Sequence, residues 1–336
     1  MNYVLILPLA ISLIVVLTLM PWWIRKVKSV GLVWDDMNKI KSEKVSGSGG
    51  LIVLLAFLLS VLSYVAYRVF ILESENGFLL EIFVILTMVT FMGFVGFIDD
   101  LFGWRKGGLS ARSRILITIF GAIPLIAIKA GDSVANLPLL GLVDLGLIYP
   151  LLFIPLGVVA TTTTFNMLAG FNGLEAGQGI ILLSGLAFVS YLTGSAWLAF
   201  VCLCMVLALL GFFVYNKFPA RAFPGDVMTY SIGVMIAAVA ILGNFEKLAV
   251  FFYIPYIIEV ILKSRGGLKK SSFGKPMKDG ALDNQYNKIY SLNHLSISVL
   301  KKIGIKSTEE NAVKMIWGFQ LFIVILGIFL SRETLF

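Results

Sequence analysis

Apolar runs of membrane-crossing length recur along the whole chain, each closed by a short polar stretch carrying glycine, proline or charge. In a helix about 20 consecutive apolar residues span the hydrocarbon core of a bilayer. By that measure the sequence predicts ten transmembrane helices, at about 3–23, 50–72, 78–98, 113–130, 145–164, 174–193, 195–215, 227–244, 247–264 and 312–331. The fourth is the weakest, with an uninterrupted apolar core over 115–128 that contains Pro124, and the sixth and seventh are parted only near Thr193, Gly194 and Ser195. The first run has neither a basic leader nor a small-residue cleavage site, so it is read as a spanning helix and not as a secretory signal. The expected fold is an all-α integral membrane protein, a single polytopic domain over residues 1–336.

Composition sharpens this picture. Of 336 residues, 59% are hydrophobic and 14% charged, with a mean hydropathy of +0.94, whereas soluble domains are about 45–50% apolar and about 25% charged. A soluble enzyme is excluded. An even number of crossings puts both termini on one side and divides the loops into two sets. Loops 24–49, 99–112, 165–173, 216–226 and 265–311, with their immediate flanks, hold 23 of the 27 Lys and Arg; the other set holds Arg68, Lys129, Lys247 and Arg332. The positive-inside bias makes the first set cytoplasmic and both termini external. The net charge of +8 is thus mostly a topology signal, with no nucleic-acid partner expected, and a basic face also suits anionic membrane lipids and phosphorylated substrates. Cys202 and Cys204 lie in an apolar run without the paired spacing of a zinc site or disulfide framework, and read as buried, inert thiols.

Polar residues that solvation does not explain collect in the cytoplasmic set. The first cluster is Gly96-Phe97-Ile98-Asp99-Asp100-Leu101-Phe102-Gly103, where a long apolar run ends in two adjacent carboxylates. Acids at a helix C-terminus face the negative end of its macrodipole, a conflict that a bound cation removes; the bland alternative is a solvated helix end. The second cluster runs from Thr161 through Asn166, Gly170, Asn172, Gly173, Glu175, Gly177 and Gln178 to Gly179. Non-helical backbone at membrane depth lines a cavity or is buried in protein. Glycines there allow close approach to a ligand, and side-chain amides supply neutral oxygens and hydrogen bonds to a base edge; tight packing by small residues is the competing reading. The third cluster, Phe218-Pro219-Ala220-Arg221-Ala222-Phe223-Pro224-Gly225-Asp226, delivers a further acid to the start of a span, or simply caps it. The fourth is the Lys- and Arg-rich loop 265–311, whose His294 is the only histidine and has no metal-ligand neighbour at a suitable spacing.

Asp99, Asp100 and Asp226 with Asn166 form an all-oxygen set that suits Mg2+, or Mn2+, and not zinc. Such an ion keeps several waters and takes its other ligands from substrate phosphates. Arg112, Arg114, Arg221 and Lys275 are the nearby cations available to balance a pyrophosphate. The residues point to metal-dependent phosphoryl chemistry at the cytoplasmic face. The rival from another class is an ion-coupled transporter with Glu259 as its intramembrane acid, though no internal repeat supports it.

In this order, each after a hydrophobic span, the clusters resemble the polyprenyl-phosphate N-acetylhexosamine-1-phosphate transferases over most of the chain. Gly96-Phe97-Ile98-Asp99-Asp100-Leu101 is similar to the family's aspartate pair, 166–177 to its asparagine loop, and Phe223-Pro224-Gly225-Asp226 to its Gly-Asp turn. Asn172-Gly173-Leu174-Glu175-Ala176-Gly177 is more similar to the archaeal and eukaryotic dolichyl-phosphate branch than to bacterial relatives, which usually have Asp-Gly-Leu there. The resemblance implies ten helices with both termini outside, in an archaeal cell membrane or the endoplasmic reticulum. It implies transfer of N-acetylglucosamine-1-phosphate from UDP-N-acetylglucosamine to dolichyl (polyprenyl) phosphate, giving UMP and lipid-diphospho-N-acetylglucosamine, the first step of lipid-linked oligosaccharide assembly. It also implies roles: Asn166 and Asp226 hold Mg2+ on the pyrophosphate, while Asp99 and Asp100 lie where the lipid phosphate meets it. For the transfer itself, Asp99 is expected to take any remaining proton and Asp100 to orient lipid or metal. Asn172 with the backbone around Gly170 reads uracil, and Glu175 and Arg221 join the substrate-binding set. Arg114 stands in for a phosphate-binding lysine, and Lys275 is the expected phosphate contact within 265–294. A homodimer is expected by analogy with the family. Residues 45–50 lack the family's proline and following charge, and the histidine-rich loop of the muramoyl-pentapeptide branch is absent, which argues against that substrate. A bacterial-type transferase using undecaprenyl phosphate is the alternative within the family.

Overall fold

Backbone amides at membrane depth find no water, so a long apolar run stays fully paired only as a helix. A computed structural model of the protein describes residues 5–41, 43–71, 77–137 and 141–331. The helices are α1 (Ile6–Ser29), α2 (Gly50–Phe70), α3 (Leu79–Lys106), α4 (Ala111–Gly121), α5 (Ile123–Ala127), α6 (Ile154–Met167), α7 (Leu174–Leu192), α8 (Ala196–Asn216), α9 (Gly225–Leu242), α10 (Glu246–Phe252), α11 (Ile254–Ser264), α12 (Leu292–Lys302) and α13 (Glu309–Leu330). A π-helical turn, Tyr149–Phe153, runs into α6. Three antiparallel hairpins occupy connections: β1 (Val33–Asp35) with β2 (Lys44–Ser46), β3 (Val134–Leu137) with β4 (Gly141–Asp144), and β5 (Lys275–Pro276) with β6 (Leu282–Asp283). Arg332, counted above with the outer basic residues, and the extreme ends of the first two predicted spans lie outside the described residues.

Among the described residues eight helices are long and apolar enough to cross a membrane, the fourth of them including the π-helical turn. The bundle is centred on α9, whose apolar window is 83% buried, against 22% for α1 and 33% for α13 at the periphery. Along its length α9 packs on α3 and α6, with α2 and α7 beside them. Small residues permit this. A Cβ on Gly96 of α3 would stand 2.4 Å from the Asp226 carbonyl oxygen, and one on Gly50 of α2 would stand 2.5 Å from the Met228 nitrogen. Both close approaches fall at the start of α9, so they also fix the acid carried there.

Two of the ten expected spans are interrupted. The run 113–130 folds as α4 and α5, divided just before Pro124, and 247–264 folds as α10 and α11, divided just before Pro255. Proline has no N–H and its ring collides with the carbonyl one turn back, so it starts a new helix more readily than it continues one. The third span does not stop at its acids: α3 continues to Lys106, where Gly107 at φ 93° ends it. Asp99 and Asp100 are therefore about two turns inside a helix, and the expected clash with its C-terminal dipole does not arise. A short amphipathic helix, α12, forms inside the loop 265–311. Cys202 and Cys204 are buried and unpaired, as expected.

The five polar loops meet at one end of the bundle. The Ser48 hydroxyl donates to Asp100 Oδ2 (2.8 Å) and the Gly49 amide to the Phe223 carbonyl (2.9 Å). The Asn38 side chain donates to the Gly170 carbonyl (2.7 Å) and accepts from the Gly274 amide (3.0 Å).

Candidate functional site

Between these loops lies a cavity of about 570 Å3, within the usual range for small-molecule sites. Asp100, Asn166, Gly170, Asn172, Glu175 and Asp226, all singled out from the sequence, line it. Asp36, Ser48 and Phe273, which the sequence reading passed over, line it too.

The two adjacent aspartates face different ways because neighbours on an α-helix are about 100° apart. Asp100 points toward the start of α9. Its Oδ1 accepts the Asp226 backbone N–H at 2.8 Å and its Oδ2 accepts the Ser48 hydroxyl at 2.8 Å. Gly225 makes this fit possible: its φ is +70°, and a Cβ there would lie 2.1 Å from Asp100 Oδ2. Asp99 is outside the cavity lining and 2% exposed. It accepts from the Leu109 amide (2.6 Å), the Tyr230 hydroxyl (3.0 Å) and Arg114 Nη2 (3.1 Å), while Arg114 Nε lies 2.7 Å from its other oxygen. The same guanidinium reaches Asp226 Oδ2 at 3.8 Å. Asp99 thus holds Arg114 against the acid that enters the cavity, a placement that differs from the proton-accepting role expected of it.

These contacts set the local charge. Among the described side chains, Asp99, Asp100 and Asp226 face Arg114 alone as an ion-pair partner, a formal excess of two negative charges. Buried charge of this kind is balanced by a partner or a metal. Among the described residues no three His, Cys, Asp or Glu side chains converge to hold an ion by themselves. The available donors, Asp226 and the neutral Asn166 oxygen, are few and all oxygen, which fits a hard divalent ion that completes its shell with water and phosphate.

The asparagine loop is held from beneath. The Asn172 backbone N–H donates to Glu309 Oε1 at 2.7 Å and its side-chain amide to Asp36 Oδ2 at 3.0 Å; the Gly170 N–H donates to Glu175 Oε1 at 3.1 Å. Glu309 also accepts from Asn38 Nδ2 (3.3 Å) and Lys39 Nζ (3.4 Å). Later in the same cluster the packing reading holds: a Cβ on Gly177 would meet the Trp317 ring at 2.2 Å.

Other expected site residues do not reach the cavity. Arg221 is exposed, 4.7 Å over the Tyr215 ring, with its guanidinium donating to the Val214 carbonyl. Lys275 is exposed on β5 opposite Asp283, and Arg112 is exposed in the first turn of α4. Long cations are drawn to water, and neither loop position turns them inward. His294 is structural. It is fully buried; Tyr290 N–H lies 3.4 Å from Nδ1, so Nε2 carries the proton toward the Phe273 carbonyl at 3.3 Å. Burial lowers its pKa and keeps it neutral. Glu259 accepts from the Ser291 hydroxyl (2.9 Å) and the Leu292 N–H (2.6 Å), so it caps α12.

Fold and site define an integral-membrane protein with a polar, acid-lined cavity at one end of a helical bundle. Residues 82–244 match the family described as Glycosyl transferase family 4. The chain is 32% identical, over 98% of both chains, to a Saccharolobus solfataricus protein provisionally named UDP-N-acetylglucosamine–dolichyl-phosphate N-acetylglucosaminephosphotransferase. It is 29% identical to the UDP-N-acetylglucosamine–dolichyl-phosphate N-acetylglucosaminephosphotransferase of Dictyostelium discoideum, over 67% of this chain and 63% of that one. With the phospho-N-acetylmuramoyl-pentapeptide-transferase of Lactiplantibacillus plantarum it shares 32% identity over 73% of this chain and 78% of that one. The chain belongs to glycosyl transferase family 4, the membrane sugar-phosphate transferases that its motifs resemble.

Proposed function

We propose that the protein transfers N-acetylglucosamine-1-phosphate from UDP-N-acetylglucosamine to dolichyl or a related polyprenyl phosphate, releasing UMP. The observation that carries this reading is the convergence of Asp100, Asn166, Asn172, Glu175 and Asp226 on one cavity, in a chain 32% identical to a full-length relative of that name. A phosphate oxygen of the lipid attacks the sugar-linked phosphorus, the bond to the bridging oxygen breaks, and UMP leaves with that oxygen. The attacking phosphate has its second pKa near ~6, so it is already largely dianionic and needs no strong base. Positioning and charge balance then dominate. Arg114, clamped by Asp99, carries positive charge beside the cavity; Asp100 sets the Gly225–Asp226 turn; Asn172 and the Gly170 backbone take the base. A divalent cation on Asp226 and Asn166 would supply charge neutralisation at the diphosphate.

The lipid side has support as well. A second cavity, of about 370 Å3, is lined by Gly157, Ala160 and Thr164 of α6 with Ala237, Tyr253 and Ile261 opposite. It is almost wholly apolar and ends one helical turn or less from Asn166. An isoprenoid chain there would leave its phosphate near the acids. We read α4–α5 and α10–α11 as two interrupted crossings, which makes ten, with the site loops cytoplasmic and the termini outside; the loop charges support this. Glu259, the acid a transporter would use, is committed to α12.

The test is incubation of purified protein in detergent with Mg2+, labelled UDP-N-acetylglucosamine and dolichyl phosphate. UMP and a labelled lipid are expected; neither, from folded protein, overturns the reading. Arg114→Lys keeps the charge and loses the edge-on pairing with Asp99. Its turnover is expected to fall about 10-fold, and that of Arg114→Ala further, to about 100-fold. Equal rates for wild type and Arg114→Ala would remove Arg114 from the site.

A further inference from the structure

We propose that Asp36 is a specificity-determining positioning residue, which turns the Asn172 carbonyl oxygen into the cavity and so selects a pyrimidine base whose N3 carries a proton. The inference rests on the reading of Asn172 as the base contact and extends it to a residue in a different loop.

Asp36 follows β1 and is 4% exposed. Its Oδ1 accepts the Asn38 N–H at 3.1 Å and its Oδ2 accepts Asn172 Nδ2 at 3.0 Å. An ionised carboxylate only accepts, so the Asn172 group facing it has to be NH2 and the amide cannot be reversed without losing the bond. The rest of the asparagine is equally constrained. Glu309 holds its backbone N–H, and Asn38, itself tied to Glu309 and to the Gly170 carbonyl, locks the loop on the other side. Asn172 and Asp36 both line the cavity, and Asn172 is 5% exposed. With Nδ2 given to Asp36, Asn172 Oδ1 has no hydrogen-bond donor among the described residues. An acceptor left open beside a cavity favours a ligand N–H. Uracil offers one at N3; cytosine presents a lone pair there, and the two acceptors repel. Sites built to bond an N–H discriminate strongly against an analogue lacking it.

The experiment is calorimetric titration of the full-length protein in detergent with UMP and with CMP, for wild type, Asp36→Asn and Asp36→Ser. Each substitute donates as readily as it accepts, so the Asn172 amide is released to turn over. Wild type is expected to prefer UMP by at least about 10-fold, and both variants to narrow that ratio at least about 5-fold. Asp36→Glu, which remains acceptor-only, is expected to recover part of the preference. A merely structural role would weaken both nucleotides equally and leave the ratio unchanged, and that result in either folded variant overturns the proposal. So does a wild-type protein with no UMP preference. Preferential UMP binding by a wild type that transfers no sugar phosphate would refute the proposed function and leave the role of Asp36 standing.

Discussion

Asp226→Asn is expected to lower sugar-phosphate transfer at least about 100-fold without unfolding the protein. Asparagine has nearly the same shape, and the backbone N–H of residue 226 can still donate to Asp100 Oδ1, as it does at 2.8 Å. The start of α9 should therefore survive. What disappears is the negative charge that lies in the cavity 3.8 Å from Arg114 Nη2. A neutral amide is a much poorer ligand for a hard divalent ion, and it leaves the arginine with one acid fewer to face. Removing divalent ions with a chelator should bring wild type to a similar low rate, and the two losses should not multiply, because both delete the same interaction. UMP release measures the rate, and thermal melting checks the fold. Wild-type turnover in a folded Asp226→Asn protein would place the ion elsewhere.

The helical bundle was legible because the pressure to pair every amide acts on each apolar run separately, and a run of sufficient length shows in the sequence whatever its neighbours do. The acids were legible for a related reason: Asp99, Asp100 and Asp226 are out of place beside such runs. Which of the adjacent pair faces the cavity was not, since that depends on the rotation of α3 against α9, set by Gly96 and by the Asp226 carbonyl that a side chain at position 96 would strike. The breaks at Pro124 and Pro255 carry a plain local signal, lost when hydropathy is averaged across the window.

The supporting residues were hidden for another reason. Glu309 sits in the first turn of α13, where an acid is ordinary because it complements the helix dipole. Asp36 lies in a loop whose many lysines and arginines draw attention to charge. Nothing local marks either as a partner of Asn172, 136 and 137 residues away in sequence. The one available hint was Asp35-Asp36, an acidic pair inside a basic loop. Conversely, charge is what marks Arg221 and Lys275 in the sequence, and a surface cation satisfies that criterion equally well.

The Gly225→Ala variant carries the second large expected effect, because it strikes Asp100 through the backbone. At φ +70° an alanine is strained by about 1–2 kcal/mol wherever it stands. Here its Cβ would also lie 2.1 Å from Asp100 Oδ2, 2.9 Å from its Cγ and 3.0 Å from Ser48 Cα. The Asp100 side chain is short and held by the Asp226 amide and the Ser48 hydroxyl, so it can retreat only by breaking one of those bonds. Gly280 supplies the control: it too has positive φ, at +81°, with nothing within 4 Å of an added Cβ. Gly280→Ala should lose a little stability and keep its turnover, whereas Gly225→Ala should lose at least about 10-fold in rate. If the two variants turned over alike, the seating of Asp100 against the Gly225 turn would not matter to the reaction, and Asp100 would be a residue of packing and not of the site.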